Sequence, residues 1–80
     1  MNVKLAVIGG GYVGTAAAVS LAQRGHEVFL AERDEARLAL LKNGTLPFYE
    51  PGLSEAFSAA KITCVRSVKE AGEGLRCVFV

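Results

Sequence analysis

The apolar positions of this chain fall into two kinds of run. Leu5, Ala6, Val7 and Ile8 form a nearly continuous stretch that three glycines stop, and Val28, Phe29, Leu30 and Ala31 form a second one that ends at Glu32. Short continuous runs of this kind suit strands buried on both faces, as in a parallel sheet. Between them, residues 12–24 are rich in alanine and free of proline, with Val13, Ala17 and Leu21 recurring every four positions. That period predicts a helix with those three residues on its inner face. Gly25 follows, the residue type that most readily takes the conformation ending a helix. Asp34 is placed to cap the next helix through its carboxylate, with Leu38 and Leu41 facing inward and Asn43-Gly44 at its end.

The second half continues the alternation. Residues 45–51 read as a connection containing both prolines, Pro47 and Pro51. Pro51 fits the first turn of a short helix, because the N–H it lacks would have no intrahelical partner there. Glu50 stands at that helix's cap, and Leu53, Phe57 and Ala60 form its apolar stripe. Residues 61–65 read as a third strand, 67–74 as a weak short helix with turn glycines, and 75–80 as a fourth strand. The order β-α-β-α-α-β-α-β is α/β, a Rossmann-like parallel sheet with right-handed crossovers and an expected strand order of 3-2-1-4. There is no internal repeat and no linker, so residues 1–80 read as one domain. Because the sequence stops inside an apolar strand, the expectation is the N-terminal portion of a nucleotide-binding domain, incomplete at its C-terminal end.

Composition narrows the classes. With 51% hydrophobic and 21% charged residues, the 80-residue chain is of ordinary globular type. A net charge of +1 gives no electrostatic footprint for nucleic acid. No apolar run approaches the roughly 20 residues of a membrane span, and the start lacks the long apolar region of a signal peptide. The expected location is cytoplasmic, with no membrane partner. Cys64 and Cys77 show no metal-ligand spacing and read as buried thiols on strands. In a 3-2-1-4 sheet their strands are separated by two others, whereas a disulfide needs Cα atoms within about 7 Å, so no pairing is expected. His26 has no second ligand or nucleophile near it in sequence and reads as structural or solvated.

Chemistry concentrates at Gly9-Gly10-Gly11-Tyr12-Val13-Gly14, a G-x-G-x-x-G match that leaves a predicted strand and opens a predicted helix. Gly9 permits the tight turn, Gly11 lets the backbone approach a pyrophosphate, and Gly14 lets the helix pack close to the sheet. The helix start offers unpaired N–H groups and a positive dipole end to an anion. The same fingerprint expects an acid about 20 residues further on to accept hydrogen bonds from the adenosine ribose, and Glu32 stands there. A carboxylate at that position repels a 2′-phosphate, so NAD is favoured over NADP, although Arg33 beside it is a group that can accommodate that phosphate. Arg37 lies one helical turn further and within reach of the adenosine. Two alternatives share these features: the start of an FAD-binding flavoprotein domain, and a non-catalytic nucleotide-binding module.

Taken together, Val7-Ile8-Gly9-Gly10-Gly11-Tyr12-Val13-Gly14, Gly25-His26-Glu27-Val28, Asn43-Gly44 and Pro47-Phe48-Tyr49-Glu50-Pro51-Gly52-Leu53 resemble the N-terminal domain of the UDP-glucose/GDP-mannose dehydrogenases. The resemblance covers essentially the whole chain, and Tyr49-Glu50-Pro51-Gly52-Leu53 is its most specific part. It implies a parent enzyme, expected to be a homo-oligomer, that oxidises the C6 alcohol of a UDP- or GDP-sugar to a carboxylate with two NAD. It places the pyrophosphate on Gly9, Gly10, Gly11, Tyr12, Val13 and Gly14, the ribose on Glu32 and the adenosine part on Arg37. The family's usual acid is aspartate, so Glu32 departs from the pattern by one methylene. The family's catalytic cysteine and lysine and its sugar-binding groups lie far beyond residue 80. The resemblance therefore assigns no catalytic residue to this chain and implies that the chain alone is inactive. The segment 43–53 separates this reading from the flavoprotein one, since flavoproteins are not expected to share it.

Overall fold

The computed structural model describes residues 3–9, 11–46 and 52–79. Strands β1 (Lys4–Ile8), β2 (Glu27–Ala31), β3 (Ile62–Val65) and β4 (Arg76–Phe79) form one sheet in the order β3-β2-β1-β4, and every neighbouring pair is parallel. Helix α1 (Tyr12–Gln23) connects β1 to β2. Helices α2 (Glu35–Lys42) and α3 (Leu53–Ala59) lie between β2 and β3, and a 3-10 turn (Val68–Ala71) lies between β3 and β4. The α/β parallel architecture read from the alternating runs is the one observed.

The two central strands are apolar on both faces because both faces are covered. Side chains alternate across a strand, so Val28 and Leu30 point to one side and Phe29 and Ala31 to the other. Val7, Val28 and Leu30 pack with Ala18 and Val19 of α1, Leu41 of α2, Phe57 of α3 and Leu46, which follows α2, in the larger cluster. Ala6, Phe29, Ala31 and Val65 join Ala71 of the 3-10 turn in the smaller one. Leu30 and Leu41, among the largest fully buried side chains, each contribute about 1.5–3 kcal/mol by leaving water.

The helix ends follow their sequence signals. Gly25 comes directly after the last turn of α1, its N–H donating to the Ala22 carbonyl at 3.0 Å. Asp34 caps α2, its Oδ1 accepting from the Arg37 N–H at 2.9 Å, a bond whose loss costs about 1 kcal/mol. Leu38 and Leu41 are the buried residues of α2. Residues 47–51, with the expected Glu50 cap and Pro51 first turn, lie outside the described residues.

Two expected helix faces need correction. The buried positions of α1 are Gly14, Thr15, Ala18 and Val19, while Val13 is 60% exposed and Ala17 and Leu21 are half-buried. The inner face is therefore turned by about one residue from the Val13-Ala17-Leu21 row. Closest approach to the sheet, at Gly14, sets the rotation, and in an alanine-rich helix two large residues gave the pattern too much weight. In α3 the stripe is Leu53, Ala56 and Phe57. Ala60 has already left the helix in an extended conformation, φ −77° and ψ 147°.

Cys64 is half-buried, not buried as expected, because β3 is an edge strand of the described sheet. Burial still pushes its thiol pKa up, with Lys42 opposing, and the thiol is free. Cys77 lies on β4, separated from β3 by two strands, β2 and β1. His26 is structural: its Nδ1 accepts the Val3 N–H at 3.2 Å. Among the described residues, no helix is long and apolar enough to cross a membrane, and no group of side chains is arranged to hold a metal ion.

Candidate dinucleotide site

All four strands run the same way, so their C-terminal ends meet along one edge of the sheet, the edge where ligands bind in open α/β folds. The glycine turn leaves β1 at that edge. Gly9 has φ +105°, a conformation L side chains rarely adopt, and its N–H donates to the Ala31 carbonyl at 2.9 Å. The turn therefore starts while still tied to β2. At Gly14 an added Cβ would run into the Gly9 carbonyl oxygen, so helix and strand approach as closely as backbones allow. Gly11 differs from both. Its backbone is extended, φ −75° and ψ −173°, and an added Cβ would meet nothing within 4 Å. Neither conformation nor packing requires a glycine at 11. Gly10 lies outside the described residues.

Helix α1 starts directly after Gly11, whose carbonyl accepts the Thr15 N–H at 2.9 Å. A helix start carries N–H groups without intrahelical acceptors and a partial positive charge. No acidic side chain stands in the first turn of α1 to offset that charge. Tyr12 and Val13 hold their side chains outward, 51% and 60% exposed.

Glu32 follows β2 and is only 6% exposed. Its N–H donates to the Val65 carbonyl at 2.8 Å, which extends the β2–β3 pairing by one step. Its Oε2 accepts the Asp34 N–H at 2.8 Å, and its Oε1 faces Arg37 Nη1 at 3.5 Å. Because Asp34 also caps α2, one short segment fixes the start of the helix, the carboxylate and the guanidinium together. Arg37 is half exposed, so the pair orients Glu32 more than it stabilises the fold.

Two cavities open along this edge and share Ile8 and Gly9. One, of about 390 Å³, lies over Gly11, Tyr12, Val13 and Gly14. The other, of about 350 Å³, has Ile8, Ala31 and Val68 as apolar lining and Glu32, Arg33, Arg37 and Arg66 as charged lining. The structure thus brings Gly9, Gly11, Tyr12, Val13, Gly14, Glu32 and Arg37 to the lining of these two adjoining cavities. Arg66, Ser67 and Val68 also belong to it, and the motif reading missed them. The available signal was positional: they follow β3, whose C-terminal end lies beside that of β2. Among the described residues, neither cavity is lined by Cys, His or Lys.

The chain is similar to known proteins in sequence and in fold. The profile described as UDP-glucose/GDP-mannose dehydrogenase family, NAD binding domain, matches residues 3–73. A UDP-glucose 6-dehydrogenase of Pseudomonas aeruginosa is 40% identical over 81 residues, and a putative UDP-glucose 6-dehydrogenase, YtcA, of Bacillus subtilis is 36% identical over 78. Each match covers 96% of this chain and 18% of the relative, so the chain spans less than a fifth of their length. Among solved structures, a GDP-mannose dehydrogenase of Pseudomonas aeruginosa in a ternary complex superposes with a TM-score of 0.84 at 26% identity, over 95% of this chain and 19% of that one. A UDP-glucose dehydrogenase of the hyperthermophilic archaeon Pyrobaculum islandicum does so with a TM-score of 0.81 at 35% identity, over 89% of this chain and 17% of that one.

Proposed function

The chain belongs to the UDP-glucose/GDP-mannose dehydrogenase family, in its NAD binding domain, and from that premise we propose that it is the cofactor-holding part of a nucleotide-sugar 6-dehydrogenase. In this reading the parent oxidises the C6 alcohol of a UDP- or GDP-sugar to a carboxylate. Bound NAD would supply the hydride acceptor. The residues of this chain bind and orient it, and the residues that act on the sugar belong to other parts of the parent.

The backbone of Gly9, Gly10, Gly11, Tyr12, Val13 and Gly14 would take the pyrophosphate on the N–H groups at the start of α1. Glu32 would accept the ribose hydroxyls, and Arg37 would hold Glu32 in place while reaching the adenosine. The observation that carries the reading is Gly11. It is a glycine that the fold does not need, at a point where a side chain would fill the space over the helix start. The matched family tells against the flavoprotein alternative, since its NAD binding domain covers residues 3–73 and includes the segment 43–53.

Glu32→Ala tests the ribose assignment. Calorimetric titration is expected to show NAD binding weakened by about tenfold or more, the loss of a charge-assisted hydrogen bond. NADP binding should weaken less, because the same change removes the repulsion of the 2′-phosphate. Unchanged NAD affinity would place the ribose elsewhere.

A further inference from the structure

The adenosine-side cavity draws its charged lining from two directions. Glu32, Arg33 and Arg37 come from the segment that follows β2, while Arg66 comes from the turn that follows β3. Arg66 is tethered: its Nη2 donates to Glu35 Oε1 at 2.9 Å, joining the β3 turn to the first turn of α2. Both partners are exposed, 61% and 77%, and a pair so exposed does little for folding. The tether does fix where a planar, weakly hydrated guanidinium sits, at the wall of a cavity whose other lining includes Ile8, Ala31 and Val68. A guanidinium of this kind stacks on flat π systems, and an ammonium cannot reproduce the plane.

We infer that Arg66 is a base-stacking residue of the site. It lies against the face of the dinucleotide's adenine, steadied by Glu35, with the apolar side chains of Ile8, Ala31 and Val68 around the same ring. The inference rests on the dinucleotide reading above and adds to it a contact from the β3 side. Stacking reads the flat ring and not its edge, so this contact contributes affinity for the adenine half without demanding a particular pattern of hydrogen bonds.

The test titrates NAD and AMP into the unsubstituted chain and into Arg66→Ala, Arg66→Lys and Glu35→Gln, with melting curves for each. Arg66→Ala is expected to weaken both ligands by the same factor, about 5- to 10-fold, because both carry the adenine. Arg66→Lys is expected to fail to restore binding. Glu35→Gln, which removes the partner's charge but keeps an amide oxygen able to accept from Arg66 Nη2, should change either ligand by less than about twofold, and all melting temperatures should stay close together. The inference is overturned if Arg66→Ala binds both ligands as tightly as the unsubstituted chain, if lysine restores binding, or if Glu35→Gln loses as much as Arg66→Ala. In those cases the dinucleotide reading stands. An unsubstituted chain that binds neither ligand overturns both.

Discussion

Gly14→Ala is expected to destabilise the chain by about 2–3 kcal/mol, the scale of forcing an extra methyl into a packed contact. The new methyl meets the Gly9 carbonyl oxygen, with the carbonyl carbon at 3.1 Å and Val7 Cγ1 at 3.8 Å behind it. The obstacle is backbone, so no rotamer change relieves it. Either α1 lifts away from β1 or the turn at Gly9 gives way. Lifting α1 takes Ala18 and Val19 away from Val7, Val28 and Leu30, the centre of the larger core cluster. For a domain of this size the loss corresponds to a fall of about 10–20 °C in melting temperature. Thermal unfolding followed by circular dichroism reads it directly, and a melting temperature that hardly moves would mean that α1 does not rest on Gly9.

Gly11→Asp should do the opposite to stability and far more to binding. Gly11 is the residue before the first turn of α1 and has an extended backbone that any residue adopts. Aspartate is among the best residues at such a position, so the helix should gain up to about 1 kcal/mol. The same carboxylate would occupy the open space over the helix start and oppose the charge of a pyrophosphate. Losing those charge-assisted hydrogen bonds should weaken NAD about 10- to 100-fold or more. A melting temperature that holds or rises while dinucleotide affinity collapses separates a glycine kept for a ligand from one kept for the fold. Loss of both together would make Gly11 a structural glycine.

These two glycines also show how far the sequence could be read. The motif assigned distinct tasks to Gly9, Gly11 and Gly14. The structure supplies reasons internal to the chain for two of them: a positive φ at Gly9 and a backbone contact at Gly14. The strands were legible because continuous apolar runs leave few alternatives once both faces must be covered. The orientation of α1 was not, because alanines give almost no contrast around a helix. Its rotation is decided by a contact with a turn that sequence periodicity does not register. Glu32 was legible from its place after β2, but its anchoring by Asp34 and Arg37 was not. That depends on the cap of α2 turning one backbone N–H and one guanidinium toward the same carboxylate. Arg66 was missed for a similar reason. It belongs to no motif, and only the pairing of β3 with β2 brings it to the cavity.

The central claim is that the dinucleotide lies along the C-terminal edge of the sheet, across the glycine turn and into the pocket between Glu32 and Arg66. The most direct test is amide chemical-shift mapping of the 15N-labelled chain titrated with NAD. The account predicts saturable shifts concentrated at Gly9, at the start of α1 from Gly11 to Gly14, at Glu32 through Arg37 and at Arg66 through Val68. The far cavity bounded by Ala22, Gln23, Ala56 and Lys61 should stay silent. No saturable shift, or shifts gathered at that far cavity instead of the glycine turn, would contradict it.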